Sequence, residues 1–512
     1  MSAIASSARS DTNAALHWVV LGLGLSVLLL VFLPEGLAAV RVWYDSTAYG
    51  HCFLVVPIAA YLAWDRRDEV RGLRPHAEPW LLLLGLPFPL AWFAAERLGI
   101  MEGRQLVALA FVELLFLCVL GRALFRAMLG PLLYLVFLVP FGAFVTPVLQ
   151  TVTAHFIDVG LTVLGIAHFS NDMFIEISAG TFYVAEACAG LRFLIASIAF
   201  GVFYALLNYR SPGRRAVFIT ASIVVPVVAN GLRALGIVVL GQVLGSAEAA
   251  AADHIIYGWV FFSAVMLLLV VAGLPLRESP MAIAALPRQQ VPKLLPSSWP
   301  RPRLRPWAAL LVPALAAAGP SAALALSRGM QPVTVSGQLD FVAPEGCQVV
   351  ATPLLPGIAT AILECGARKW HMTLQALPRR STAAAISEAR ASLVYGLGSE
   401  EATTQSLSSI PAVAGAWTAV IDHSRITAYS VWVHGAPARG GLSQRIDQAW
   451  DSILGTEVPP TLLGASLLPP GVLGEAPTTA ALAELTRILA AQTGWPGTIM
   501  RLTGSSSPPP PP

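Results

Sequence analysis

The chain has 512 residues, of which 56% are apolar and only 12% are charged, and its formal net charge is +3. Soluble globular domains carry about 25% charged residues, so this composition excludes an ordinary soluble protein and predicts a polytopic α-helical membrane protein. The 32 basic residues are almost matched by 29 acidic ones, which argues against a nucleic-acid partner. Five cysteines occur without a CxxC motif or a Cys/His cluster, so we expect no metal site and no cofactor.

Long apolar runs predict eight transmembrane helices and a ninth further along the chain, because about 20 apolar residues are needed to cross a bilayer. The predicted spans lie near residues 16–34, 49–64, 79–96, 103–120, 124–145, 187–207, 216–240, 255–274 and 306–326. No small-residue cleavage pattern follows the first run, so we expect it to be retained as a membrane helix.

Arginines in the short loops predict the orientation of these helices. The loops 65–76, 121–126, 208–215 and 275–305 are basic and fall on one side if eight spans alternate. The long connection 146–186 falls on the other side and contains no lysine or arginine. Because basic loops stay in the cytoplasm, both ends of the eight-helix region are predicted to be inside.

The connection 146–186 has two predicted parts. Residues 147–168 have helical apolar spacing, which suggests a helix lying on the outer face or dipping into it. Residues 174–177 and 181–184 flank Ser-Ala-Gly and predict a small hairpin that leads the chain to Cys188.

Three polar side chains are predicted to meet at the outer face. Cys188 stands at the start of the sixth span and His254 opens the eighth. Arg233 lies about seven residues from the outer end of the seventh, roughly 10 Å deep at 1.5 Å per residue. A thiol, a guanidinium and an imidazole are the components of a cysteine acyl-transfer site.

Each cysteine has a structural alternative, because a free cysteine is commonly buried and inert. We assign that role to Cys52 and Cys118. Cys188 differs because it is predicted at a helix N-terminus, where the dipole favours a thiolate. Its neighbours are small, and Arg192 lies one turn further along the predicted helix, where it could also simply extend to the membrane surface.

The other two groups also have structural alternatives. Arg233 follows Asn230 in an Asn-Gly-Leu-Arg run inside an apolar span, and a charge there indicates function by default. It could instead form an ion pair with Glu113 or Glu186. His254 could be an ordinary interfacial histidine, but beside a thiol it becomes the candidate general base.

The sequence predicts five consecutive segments along the chain. The predicted boundaries are a transmembrane catalytic domain over 1–275, a cytoplasmic Pro/Arg-rich linker over 276–305, a ninth transmembrane helix over 306–327, an extracytoplasmic α+β domain over 328–455 and a low-complexity, mostly disordered tail over 456–512. One short helix is expected in the tail, over 479–491. Cys347 and Cys365 would lie in an oxidising compartment, and both a disulfide and two free thiols remain open alternatives.

Three segments together resemble a known family. Glu186-Ala-Cys-Ala-Gly-Leu-Arg192, Asn230-x-x-Arg233 and His254 are similar to the motifs of the exosortase/archaeosortase family. The stretch Tyr49-Gly-His-Cys-Phe-Leu-Val-Val-Pro57 and its continuation to Trp64 resemble the second span of that family, and the likeness covers about residues 16–275. One departure is Ala189, where the family usually has serine.

This resemblance implies a function. Cys188 would be the nucleophile, Arg233 would stabilise the oxyanion or bind the substrate motif, and His254 would be the acid/base, with Glu186, Arg192 and Asn230 in support. The family cleaves exported proteins at a C-terminal sorting signal, which consists of a Pro-Glu-Pro-like motif, a hydrophobic helix and a basic tail.

The resemblance also implies partners and a location. The acyl group would pass to an unidentified acceptor nucleophile, at the periplasmic face of a bacterial inner membrane. Residues 328–455 weakly resemble the exopolysaccharide-associated domain that accompanies such enzymes. The alternatives are a transporter component or a non-catalytic scaffold for exopolysaccharide assembly.

Overall fold

Apolar helices make up most of the first 328 residues. The computed structural model describes residues 2–245, 254–277, 305–328, 333–335, 339, 341–351, 354–355, 357–366, 368–394, 403–406, 413, 415–422, 425–438, 441–468 and 475–505. The chain divides into two compact units: Met1–Leu86 with Gln105–Ala316, and Pro87–Arg104 with Ala317–Pro512.

The described helices are numbered in chain order. They are α1 (Ser2–Val31), α2 (Leu33–Asp45), α3 (Val55–Asp65), α4 (Arg67–Val70), α5 (Phe88–Arg97), α6 (Met101–Ala127), α7 (Leu129–Tyr134), α8 (Thr146–Val163), α9 (Leu191–Asn208), α10 (Pro212–Leu244), α11 (His254–Gly273), α12 (Leu311–Ala316), α13 (Ala318–Arg328), α14 (Ala383–Val394), α15 (Gly441–Leu454), α16 (Glu475–Ala490) and α17 (Trp495–Thr503). Short 3-10 turns join several of them.

Among the described residues, six helical stretches are long and apolar enough to cross a membrane. They are Pro79–Arg97, Met101–Ala127, Ala143–Val163, Leu191–Asn208, Pro212–Leu244 and Pro306–Arg328. The pair Ala15–Val31 and Leu33–Asp45 is bent by 74° and adds a seventh if it is one broken span. Shorter apolar helices cover Gly50–Asp65, Leu129–Leu138 and Val260–Leu276. The predicted class, a helical polytopic membrane protein with a C-terminal α+β domain, is confirmed.

The predicted fifth span, 124–145, is wrong as a single helix. Helix α6 continues to Ala127 through a break at Gly121, whose φ is 80°. Helix α7 is then short and passes into a 3-10 turn over Leu135–Leu138. Pro140 and Gly142, with φ 118°, prevent a continuous helix, because proline lacks the N–H and a left-handed residue reverses the chain.

Helix α8 packs along α10, where the sequence predicted a helix on or dipping into the outer face. A β-carbon built on Gly231 of α10 would lie 2.6 Å from the Cγ of Phe156, so only glycine permits this approach. Helix α9 is equally close to α10, because a β-carbon on Gly201 would overlap the Ser222 hydroxyl. Small residues at such contacts are typical of membrane helix packing.

The predicted hairpin before Cys188 is confirmed, and a third strand precedes it in the chain. Strands β1 (His168–Asn171), β2 (Phe174–Ile177) and β3 (Gly180–Tyr183) form an antiparallel sheet in that order. Ile175 and Ile177 pack against buried residues of α8 and α10. The sheet therefore holds the segment that precedes Cys188 against these two helices.

In the described part of the second unit, an antiparallel sheet is covered by helices on both faces. Its strands are β4 (Cys347–Ala351), β5 (Leu354–Leu355), β6 (Ile358–Cys365), β7 (Arg368–Ala376), β8 (Thr403–Ser406), β9 (Thr418–Asp422), β10 (Arg425–Val433), β11 (Ala436–Pro437) and β12 (Thr461–Leu468). The main order is β4-β6-β7-β12-β10-β9-β8. Helices α16 and α17 cover one face and α14 covers the other.

The prediction of a mostly disordered tail from 456 is wrong for residues 461–468 and 475–505. Strand β12 lies in the middle of the sheet, hydrogen-bonded to β7 on one side and to β10 on the other. The expected short helix is α16, whose Glu484 accepts a hydrogen bond from the Trp370 indole at 2.6 Å. The predicted boundary at 455 therefore falls inside a folded unit.

Cys347 and Cys365 are joined by a disulfide. They are directly opposite each other at the start of β4 and the end of β6, with their Cα atoms 4.2 Å apart. The antiparallel pairing places the two side chains on the same face, which is why the link fits without displacing the strands.

Candidate active site

Cys188 ends a 3-10 turn over Glu186–Cys188, three residues before α9 begins. Its N–H donates to the Ala185 carbonyl at 2.9 Å. Gly190, with φ 79°, separates the turn from the helix. The predicted position of Cys188 at the helix start is therefore corrected to a turn just outside the helix.

The free cysteines differ in exposure. Cys52 and Cys118 are buried, whereas Cys188 is partly exposed. A nucleophile must be reachable by its substrate, and a thiol enclosed by apolar side chains is not. Among these three thiols, accessibility therefore favours Cys188.

Asn230 of α10 holds the turn that carries Cys188. Its Nδ2 donates to the Cys188 main-chain carbonyl at 2.9 Å and to the Thr153 hydroxyl at 3.3 Å. Only 4% of Asn230 is exposed. A β-carbon on Gly190 would lie 2.5 Å from its Cγ, so the asparagine packs directly against the chain reversal.

Helix α8 contributes two residues that the sequence analysis did not identify. Gln150 donates to the Val184 carbonyl at 3.1 Å, and Thr153 accepts from Asn230. Both are buried, and they are three residues apart on one helical face. Two polar residues on one face of a candidate membrane helix were the signal that could have revealed them.

Arg233 lies where helices α9, α10 and α11 meet. Its guanidinium carbon is 5.7 Å from the centre of the Phe193 ring. A β-carbon on Gly258 of α11 would be 3.5 Å from its Nη2, so this glycine leaves space for the guanidinium. Arg233 is 8% exposed and is close enough to Cys188 for an electrostatic interaction.

Arg192 shares the same aromatic ring. Its guanidinium carbon is 4.9 Å from the Phe193 centre, and Phe193 stacks on Phe262 of α11 at 4.7 Å. A cation near an aromatic face is attracted by the ring quadrupole. Two guanidinium groups therefore lie beside one phenyl ring. Glu186 is at the other end of the turn, and its side chain is exposed to solvent.

His254 is the first residue of α11, and its side chain lies outside the described part of the structure. The backbone places His254 four residues, or one helical turn, before Gly258, which lies against Arg233. The structure therefore brings together Cys188, Asn230, Arg192 and Arg233. The backbone of His254 lies on α11, one helical turn before the glycine that contacts Arg233. In the described part of the chain, no group of three His, Cys, Asp or Glu side chains is placed to hold a metal ion.

Comparison with known proteins identifies the membrane region. Residues 43–271 match the family described as transmembrane exosortase (Exosortase_EpsH). No curated protein and no solved structure matches the chain. The matched range includes Cys188, Arg233 and His254, and within it the chain is similar to the transmembrane exosortase family.

Proposed function

We propose that this protein is a cysteine endopeptidase and transpeptidase that cleaves exported proteins at a C-terminal sorting signal. The observation that carries this proposal is the arrangement around Cys188. An accessible thiol sits on a turn held by Asn230, close to the guanidinium of Arg233 and within a membrane bundle. The substrate signal is a short Pro-Glu-Pro-like motif, followed by a hydrophobic helix and a basic tail.

The first half-reaction forms a thioester. The Cys188 sulfur attacks the carbonyl carbon of the scissile peptide bond and generates a tetrahedral oxyanion, which Arg233 stabilises. His254 takes the thiol proton and gives it to the leaving amine. The carbon–nitrogen bond then breaks, and the hydrophobic helix with its basic tail leaves.

The second half-reaction releases the product. An acceptor nucleophile attacks the thioester carbonyl while His254 takes the acceptor's proton. The carbon–sulfur bond breaks, and the proton returns to the Cys188 sulfur. The exported protein becomes attached to the acceptor, or is simply hydrolysed if the acceptor is water.

Location in a membrane suits this reaction. A substrate anchored by its own hydrophobic helix diffuses in two dimensions and presents its motif at a fixed depth. We place the site at the periplasmic face of the inner membrane, because the basic loops predict the opposite side as cytoplasm. The disulfide between Cys347 and Cys365 supports an oxidising compartment for the C-terminal domain.

The test is the processing of a tagged substrate by cells that carry wild-type or variant protein at matched membrane levels. Cleavage should disappear with Cys188→Ala and fall sharply with Arg233→Ala and His254→Ala. Cys118→Ala is the matched control, because that thiol is fully buried, and it should retain cleavage. Normal cleavage by Cys188→Ala would refute the nucleophile and leave the transporter or scaffold alternatives.

A further inference from the structure

Helix α15 (Gly441–Leu454) turns its apolar side away from the domain that it covers. Leu442, Ile446, Trp450 and Leu454 are 63%, 43%, 60% and 72% exposed. Residues four apart lie on one side of an α-helix, so these four form a continuous outer stripe. The residues that α15 buries are polar instead, namely Gln448 and Ser452.

Polar bonds fix this orientation. The Gln448 amide donates to the Ser381 carbonyl at 2.7 Å, which ties the inner side of α15 to the segment before α14. Asp451 pairs with His434 at 2.9 Å, which ties the helix to the turn after β10. Rotating α15 to bury the stripe would break both contacts, so the outward apolar face is built into the fold.

The surroundings of α15 indicate what covers this stripe. Within the second unit, α15 packs against α5 (Phe88–Arg97), which is the second half of the candidate membrane span Pro79–Arg97. Helix α14 also contacts α15. Its residue Ala384 lies next to Gly99, just after the end of that span, because a β-carbon on Gly99 would be 2.8 Å from the Ala384 nitrogen. Helix α15 is therefore held beside the end of a membrane helix.

We propose that α15 is an interfacial helix whose outer stripe, Leu442, Ile446, Trp450 and Leu454, inserts into the surface of the lipid bilayer. On the neighbouring helix α5, Leu90 is also exposed, at 71%. A helix with one apolar face and little net hydrophobicity lies in the plane of the interface. Trp450 suits that depth, because tryptophan is enriched where hydrocarbon meets headgroups.

The charges beside the stripe specify the kind of lipid binding. Arg445 and Asp447 are both exposed on α15 and carry opposite charges. Anionic lipids therefore gain little from this helix, and insertion of apolar side chains provides the attraction. A neutral phosphatidylcholine surface is therefore a sufficient partner for the stripe.

Spin labels in nanodiscs test the proposal on the full-length protein. The background is Cys188→Ser, because the remaining free cysteines are buried and the other two are disulfide-bonded. Nitroxides are attached at Ile446→Cys and Trp450→Cys, and power saturation is measured with oxygen and with a water-soluble nickel chelate. The matched control is Arg487→Cys on α16, an exposed helical position on the opposite face of the sheet.

The expected result is an oxygen-to-nickel collision ratio about tenfold higher at the two stripe positions than at the control. The ratio should be equally high in purely phosphatidylcholine nanodiscs. Equal access of the nickel chelate to all three labels would show that the stripe lies in water and overturn the proposal. Exclusion of both reagents, with dipolar broadening between labels, would show a second copy of the chain on the stripe and also overturn it.

Discussion

The side-chain amide of Asn230 donates a hydrogen bond to the main-chain carbonyl of Cys188 at 2.9 Å. The contact joins the middle of α10 to the turn before α9, across 42 residues of chain. The same amide donates to the Thr153 hydroxyl of α8. One buried asparagine therefore fixes the height and direction of the turn that carries the proposed nucleophile.

Replacing Asn230 by aspartate should impair processing while leaving the protein in the membrane. Aspartate has nearly the same shape, but an ionised carboxylate has no hydrogen to donate and faces the Cys188 carbonyl with like polarity. We expect kcat to fall by about 10- to 100-fold, as for a buried hydrogen bond lost between polar groups. The measurement is kcat and KM on a tagged substrate.

Thr153→Ser is the control for this substitution, because it keeps the hydroxyl that accepts from Asn230. It should retain most of the activity. Equal kcat values for wild-type and Asn230→Asp protein would contradict a positioning role for the asparagine.

Gly190→Ala should nearly abolish processing. Its φ of 79° is a conformation that costs a residue with a β-carbon about 1–2 kcal/mol. The added methyl would also lie 2.5 Å from the Cγ of Asn230, so the turn and α10 must separate. Cleavage assays at matched membrane levels measure the loss. Gly236→Ala on α10 is the control, since a β-carbon there meets no atom within 4 Å, and it should be active.

Much of the site was predictable because its residues belong to short local motifs. Arg233 was identified from its charge inside an apolar run, where such groups are costly. Cys188 was identified from its place at the start of a span among small residues, and Asn230 from the motif that it forms with Arg233. The hairpin over 174–183 was identified from its turn residues. Gln150 and Thr153 were missed because neither is charged, and their role depends on a contact with a segment more than 30 residues away.

Strand β12 was missed for a different reason. An exposed strand alternates between apolar and polar residues, but Leu462, Leu463 and Ala465 are all buried because helices cover both faces of the sheet. The segment therefore has no period of two. Prolines before and after it gave the composition of a linker, and only pairing with β7 and β10 defines it as a strand.

Phe193→Leu should weaken catalysis by removing the ring shared by Arg192 and Arg233. A cation–π contact contributes about 0.5–2 kcal/mol, which corresponds to a decrease of about two- to thirtyfold in kcat/KM. Leucine keeps most of the apolar contact, so the membrane level should not change. Phe262→Leu is the control, because it removes the stacked partner and leaves the Phe193 ring in place. A wild-type rate for Phe193→Leu would show that the Phe193 ring does not contribute to catalysis.

A chain that ends after residue 455 should lose the folded second unit, whereas a chain that ends after residue 505 should keep it. The shorter chain lacks β12, so β7 and β10 each lose a neighbour in the middle of the sheet. It also lacks Glu484, which bonds both Trp370 and Arg368. Limited proteolysis of isolated membranes measures the difference. A protease-resistant second unit in the shorter chain would show that residues 461–505 are dispensable for folding.

The small sheet before Cys188 should be more stable at acidic than at alkaline pH, because of His168. Its Nδ1 lies 2.8 Å from the Ile166 carbonyl and its Nε2 lies 3.1 Å from the Asp158 carboxylate. Both neighbours are acceptors, so the ring satisfies both only when it is doubly protonated. The hydrogen bond to the Ile166 carbonyl, together with Asp158, raises the pKa of His168 above its ordinary 6.5.

A pKa raised by folding gives stability that is complete below the unfolded pKa and lost as pH rises through the folded pKa. His168→Gln should therefore lower Tm most at about pH 5.5, and the difference from wild type should shrink towards about pH 8.5. Thermal unfolding of the full-length protein in nanodiscs measures this difference across the pH range. His155→Gln, an exposed histidine on α8, should cause a much smaller change. A Tm difference that stays constant, or grows with pH, would show that His168 is neutral in the fold.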